Sequence, residues 1–197
     1  MNLADLSPEY FALFESAVIN PRRQAEVGGI VSRIVLHQDL YKAVEAACGT
    51  PWYVVAIIHN LECDLNFGQH LHNGDPLSRP TVDDPAGRPP GWLALAAEDR
   101  TWQRSAVDAL AYDHLNFKDG WDVARICFEC ETFNGWGYRR RGIHSPYLWA
   151  GSQHYTAGKY VSDGVFDAGA VSDQIGAAVV LKQMVLSNVV ALAAQPV

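Results

Sequence analysis

Between Pro51 and Leu77 the chain reads PWYVVAIIHNLECDLNFGQHLHNGDPL, an apolar helical run that opens into a polar segment of Asn, His, Gly and Asp. Val54, Ile57, Ile58, Leu61 and Leu65 recur at i, i+3, i+4, i+7 and i+11, the spacing of one buried helix face. A helix with such a face requires a core to receive it. Glu62 follows Leu61 and stands one turn after Ile58, on the shoulder of that face. Partial desolvation of a carboxyl group favours its protonated form, which is the property a general acid needs near neutral pH. Glu62 is therefore a candidate proton donor. The ordinary alternative is a solvated charge near the end of an amphipathic helix.

The flanking sequence predicts further helices. Ser7-Pro8-Glu9 reads as an N-cap with Pro at the first helical position, opening a short helix to about Val18. Asn20-Pro21 repeats the signal for a helix to about Leu36. Gly28-Gly29 inside it suggests that another helix crosses closely. Gln38 to Cys48 reads as a third helix with Gly49 as its stop, and Thr50-Pro51 caps the central one. From Asn66 to about Arg100, Pro76, Pro80, Pro85, Pro89 and Pro90 with Gly68, Gly74, Gly87 and Gly91 forbid a long helix. A loop of this length inside a compact domain is usually functional; the expectation is a cleft wall with room for a short hairpin. Thr101 caps a helix to about His114, Trp121 to Phe133 forms another, and Ser172-Asp173 opens a closing helix. The stretch from Tyr138 to Phe166 is irregular and aromatic. The fold class expected is mainly α, in one domain spanning 1–197, with a central buried helix and a loop-rich lobe.

The segment GTPWYVVAIIHNLECDLNF resembles the helix followed by Glu-Ser of the lysozyme and lytic transglycosylase superfamily, goose-type lysozymes included. Glu131-Thr-Phe-Asn-Gly-Trp-Gly-Tyr138 is similar to that superfamily's Tyr-Asn-x-Gly motif and follows in the expected order. His70 to Leu77 and His144 to Gly151 resemble strings found in phage and bacterial lysozyme-family proteins. The likeness runs from about Tyr41 to Lys182. It implies a lysozyme-like fold in which Glu62 sits on the floor of a sugar-binding cleft. The implied activity is a muramidase cutting the β-1,4 bond between N-acetylmuramic acid and N-acetylglucosamine, as a phage-type endolysin does.

Glycoside cleavage needs a proton for the leaving oxygen and a means of meeting the oxocarbenium-like centre. Asp75 is the first candidate for a second catalytic carboxylate, with an Asp-Pro turn as its alternative; Asp64, Asp83 and Asp84 rank below it. His72, Asn73, Phe133, Asn134, Tyr147 and Trp149 are the candidate glycan contacts, since sugars are held by aromatic faces and amide hydrogen bonds. His59 reads as a surface histidine. Three departures bear on mechanism: Cys63 stands for the usual Ser, Phe133 for the usual Tyr, and a Gly-Leu-Met-Gln motif is lacking. The last tilts the expectation toward hydrolysis, with a lytic transglycosylase or a non-catalytic glycan-binding protein as alternatives.

The net charge of −7 over 197 residues argues against a nucleic-acid partner. Arg139-Arg140-Arg141 is a local exception, read either as a solvated turn or as a rim for the acidic groups of peptidoglycan. No basic-then-apolar leader is read at the N-terminus and no membrane-spanning run, so the expectation is synthesis in the cytoplasm and action on the cell wall, as a monomer on a peptidoglycan glycan strand. Cys48, Cys63, Cys127 and Cys130 are expected as free thiols. Neither a metal nor a cofactor is expected, because Cys127-x-x-Cys130 lacks a second ligand pair.

Overall fold

A computed structural model describes residues 1–162 and 164–192. It is mainly helical: α1 (Leu3–Ser16), α2 (Gln24–Leu36), α3 (Gln38–Cys48), α4 (Trp52–Cys63), α5 (Trp102–Tyr112), α6 (Val123–Asn134), α7 (Gly137–Arg140), α8 (Pro146–Trp149) and α9 (Ala177–Leu186). An antiparallel hairpin of β1 (Lys159–Ser162) and β2 (Val165–Asp167) stands in the aromatic stretch that was expected to be irregular. The contacts divide the chain into two compact units, residues 1–32 with 120–197 and residues 33–119. No helix among the described residues is long and apolar enough to cross a membrane.

In the first unit α1 packs along α6, while α6, α8 and α9 pack on one another around Trp149, Leu148, Leu181 and Met184. The helix expected from Ser7-Pro8 starts earlier, at Leu3, because Asn2 Oδ1 accepts the Ala4 N–H and caps it. Ser7 does not cap; its hydroxyl donates back to the Leu3 carbonyl at 2.8 Å, and Pro8 lies inside the helix. Glu131 on α6 is 1 % exposed, yet it does not stand alone. Tyr10 Oη donates to Glu131 Oε2 at 2.5 Å, and Arg139 Nη2 reaches the same oxygen at 2.8 Å. Arg139 Nη1 also reaches Glu9 at 2.9 Å. A buried carboxylate is tolerated only with such partners. Arg139 is thus removed from any glycan-facing rim: its charge is spent inside the fold.

Gly176 shows how closely this unit is packed. A Cβ there would lie 2.3 Å from both the carbonyl carbon and oxygen of Leu148, so α9 can meet α8 only through a glycine. Gly28 and Gly29 of α2 are the opposite case. Nothing lies within 4 Å of a Cβ at either position, so no helix crosses there and the glycines carry only their helix cost.

In the second unit α3 packs against α4 and α5. Helix α4 is not amphipathic as its spacing suggested: every residue from Val54 to Leu61 is buried, and so is Cys63. Its N-terminus uses Thr50 differently than expected. The Thr50 hydroxyl donates to the Leu115 carbonyl at 2.8 Å and makes no cap, and Pro51 is the N-cap residue. Wrapping the helix on all sides takes His59 with it. His59 is 0 % exposed, correcting its reading as a surface residue. Its Nδ1 lies 3.0 Å from the Tyr41 hydroxyl, and its ring centroid lies 4.4 Å from Trp102 and 4.7 Å from Phe67. Burial among these rings pushes its pKa down to about 4.

Two outcomes follow from this packing. Gly29→Ala raises stability by about 0.5–1 kcal/mol, whereas Gly176→Ala lowers it by about 2 kcal/mol or more; thermal melting of the two variants separates an open glycine from an obligatory one. His59 is neutral in the folded chain but protonates near pH 6.5 when unfolded, so the unfolded chain binds more protons between about pH 4 and 6.5. Stability contributed by keeping it neutral is present above that window and is lost as pH falls through it, by roughly 3 kcal/mol at most. His59→Gln should flatten that part of the melting-temperature profile; an unchanged profile would mean that His59 protonation is not coupled to unfolding.

Candidate functional site

Glu62 lies in the last turn of α4 and is half-buried. The helix stops at the next residue, Cys63, because Asp64 and Leu65 both turn left-handed, with φ of 45° and 59°. The N–H groups of both residues fold back onto the His59 carbonyl, which caps the helix end. Two successive L-residues in this conformation carry strain. The strain is offset by burial: Leu65 leaves the helix but stays in the core at 8 % exposure. Cys63 beside Glu62 donates its thiol to the His70 carbonyl at 3.2 Å, and burial, with the nearby Glu62 charge, pushes its pKa up to about 12. It is a structural thiol. All four cysteines are free.

The segment after Leu65 is a folded loop with its own interior. A single antiparallel bridge, Gln69 to Pro76, takes the place of the short hairpin, and the His70 N–H donates to the Asp75 carbonyl at 2.7 Å. Asp75, the expected second carboxylate, faces its own loop: Oδ2 accepts the Val82 N–H at 2.7 Å and the Asn73 amide at 3.1 Å. The Val82 N–H above all holds the Asp75 carboxyl below its ordinary range, so this group is an anion and not a proton donor near neutrality. Asn73 Oδ1 in turn accepts the Asp75 N–H at 3.0 Å. Both residues are half-buried and both brace the turn.

His72 has a side chain with no exposed surface, which excludes direct contact with a ligand in this conformation. Its Nε2 donates to Asp108 Oδ2 at 2.9 Å, and Arg88 grips the same carboxylate through Nε at 3.0 Å and Nη2 at 2.6 Å. Burial lowers the His72 pKa. His70 is locked in parallel, to Ser105 Oγ at 2.7 Å and the Arg79 carbonyl at 2.8 Å. Trp92, fully buried, donates its indole N–H to the Leu77 carbonyl at 2.7 Å. The two histidines, Asp108 and Arg88 thus pin the loop to α5. Sequence reading missed Asp108 and Arg88. The available signal was Asp108 standing three residues after the buried Ser105, a polar side chain on the shoulder of a core face.

The remaining expected contacts lie in the first unit. Phe133 is half-buried and stacks on Tyr147 at 6.5 Å with the rings 23° apart. Asn134 is exposed at the end of α6, its amide 3.4 Å from Ser145 Oγ. Tyr147 is 7 % exposed and Trp149 only 1 %, packed edge-on against His154, so Trp149 is a core residue. Asn134 does line an open cavity of about 540 Å³, with Gly135, Gly137, Tyr138, Tyr160, Val161, Ser162 and Gly164. Its wall is built by the motif 134–138 on one side and the hairpin on the other. A Cβ at Gly137 would fall 2.9 Å from the Tyr160 hydroxyl, so this glycine lets the tyrosine lie against α7. Tyr138 Oη accepts the Tyr160 N–H at 3.1 Å. Tyr160 and Ser162 were missed because strands of four and three residues are too short to show alternation; the signal was Gly164 between two pairs of β-formers.

Among the described residues, no three His, Cys, Asp or Glu side chains converge where a metal could sit. No protein-family model, curated protein or solved structure matches the chain.

The Asp108 network makes a direct test of what organises the loop. Asp108→Asn removes the charge that both His72 and Arg88 address, with an expected loss of about 2 kcal/mol, or roughly 4–8 °C in melting temperature. Limited proteolysis should then cut earlier within residues 78–90. A variant that melts and digests like the parent would show that other contacts hold the loop.

Proposed function

We propose that the protein is a peptidoglycan hydrolase of the muramidase type, with Glu62 as the general acid. The observation that carries this reading is the position of Glu62. It is a half-buried carboxyl group on the last turn of a helix wrapped in apolar side chains, next to a loop fixed in place by its own buried hydrogen bonds. Such a setting restricts both the motion and the hydration of an acid, the two properties that proton donation to a leaving glycosidic oxygen demands. Within the first unit, and independently of Glu62, a polar, aromatic-walled cavity carrying Asn134 suits a saccharide ligand, because amide and hydroxyl groups beside aromatic surface match a sugar ring.

The engagement of Asp75 favours a second reading of the nucleophile. A carboxylate committed to the Val82 N–H and the Asn73 amide is poorly placed to activate water. In a lytic transglycosylase the substrate's own 6-hydroxyl attacks, and no second carboxylate is required.

The decisive measurement is release of soluble muropeptides from purified cell walls. Glu62→Gln should abolish release, by about 10³-fold or more, at an unchanged melting temperature; undiminished release would remove Glu62 as the acid. Mass spectrometry of the fragments separates reducing ends from 1,6-anhydro ends, hence hydrolysis from transglycosylation. Absence of fragments from the parent protein, with retained binding to walls, would leave a glycan-binding protein without catalysis.

A further inference from the structure

Three consecutive arginines follow the motif that lines the first unit's cavity, and the structure treats them differently. Arg139 is consumed by Glu131 and Glu9. Arg141 is exposed, but it is not loose. Its guanidinium carbon stands 4.3 Å from the centroid of Phe166 and 5.5 Å from that of Tyr160, and its Nε donates to Tyr160 Oη at 3.1 Å. Tyr160 and Phe166 are cross-strand partners in the hairpin, their rings 5.3 Å apart and at 70° to one another, so together they form an angled aromatic shelf against the guanidinium.

We propose that Arg141 is an anion-recognising residue at the rim of the cavity lined by Asn134, Tyr138 and Tyr160, and that the saccharide taken there bears a carboxylate. This deepens the glycan reading of that cavity and rests on it. An exposed arginine ordinarily loses rotamer freedom when it binds, which consumes much of the gain. Here the shelf and the Nε bond have already fixed the side chain. They occupy its inner donor and leave both Nη groups without a protein partner among the described residues. That pair of donors is the fork that matches a carboxylate's two oxygens. The anchor is Tyr160, which itself lines the cavity, so the charge is tied to the place where the sugar would lie. The protein as a whole carries a charge of −7, so a carboxylate gains nothing from the overall field and needs a local cation. A neutral saccharide has no use for this arrangement. A saccharide bearing a lactyl or peptide carboxylate does.

The test is calorimetric binding to the full chain carrying Glu62→Gln, so that turnover does not intrude. The probes are a disaccharide peptide from peptidoglycan, the same compound with its carboxyl groups amidated, and chitotetraose as a neutral saccharide. The expected result is about tenfold tighter binding of the acid than of the amide. Arg141→Gln should erase that preference while leaving chitotetraose affinity and the melting temperature unchanged, and Arg141→Lys should restore only part of it. A preference that survives Arg141→Gln, equal affinity for acid and amide, or binding of none of the three overturns the inference. The catalytic reading is judged separately, by fragment release. A parent protein that releases none but shows the Arg141-dependent preference loses its assignment as a hydrolase and keeps this one.

Discussion

The second unit depends on one constraint: α4 is covered on every side. A helix exposed along one edge can send its polar side chains to water, but α4 has no such edge between Val54 and Leu61. His59 must therefore find Tyr41 and a set of aromatic rings inside the protein, and it does so as a neutral group. The first escape from the core comes in the last turn, where Glu62 is half-buried. The same constraint explains the abrupt stop. With Leu65 needed in the core, the chain turns sharply at Asp64 and Leu65 and accepts left-handed backbone at two L-residues.

The loop that follows shows how a Pro- and Gly-rich segment can be rigid without regular structure. Backbone groups within it find partners inside the loop itself. The Thr81 N–H donates to the Arg88 carbonyl, the Arg88 N–H to Thr81 Oγ1, and Asp75 Oδ2 takes the Val82 N–H. Polar side chains that sequence reading assigns to a ligand are used here as internal braces. His72, through Nε2 to Asp108, and Asp75, through Oδ2 to the Val82 N–H and the Asn73 amide, are both of this kind, as expected where most polar groups removed from water find partners. What they offer function is a fixed frame.

How much of this was legible differs by element. The extents of α3 and its Gly49 stop, one buried face of α4 and the α6 stop at Asn134-Gly135 follow from local rules: apolar spacing, and positive-φ glycines where helices end. The mainly α class was readable for the same reason. The misses were tertiary. Nothing in the spacing of α4 shows that its fourth side is also covered, because Ala56, His59 and Asn60 are not a periodic apolar set. Nothing around Gly28-Gly29 shows whether a neighbour approaches. The partners of Glu131 come from positions 10 and 139, a separation no local rule spans. Of the candidate site residues, Glu62 and Asn134 keep surface for a ligand, whereas His72 and Trp149 are absorbed by the fold.

The arginine triplet puts the general point most sharply. Arg139 and Arg141 are two residues apart and chemically identical, and on sequence alone they share one reading. Their fates diverge because of what lies within reach. One meets two carboxylates, Glu131 inside the fold and Glu9 on α1, and becomes part of the packing. The other meets two aromatic faces and a hydroxyl, none of which carries a neutralising charge. An aromatic shelf holds a guanidinium in place without discharging it. A fixed position, together with a charge that meets no carboxylate among the described residues, sets Arg141 apart from Arg139, and it can be read only after the hairpin that carries Tyr160 and Phe166 is known.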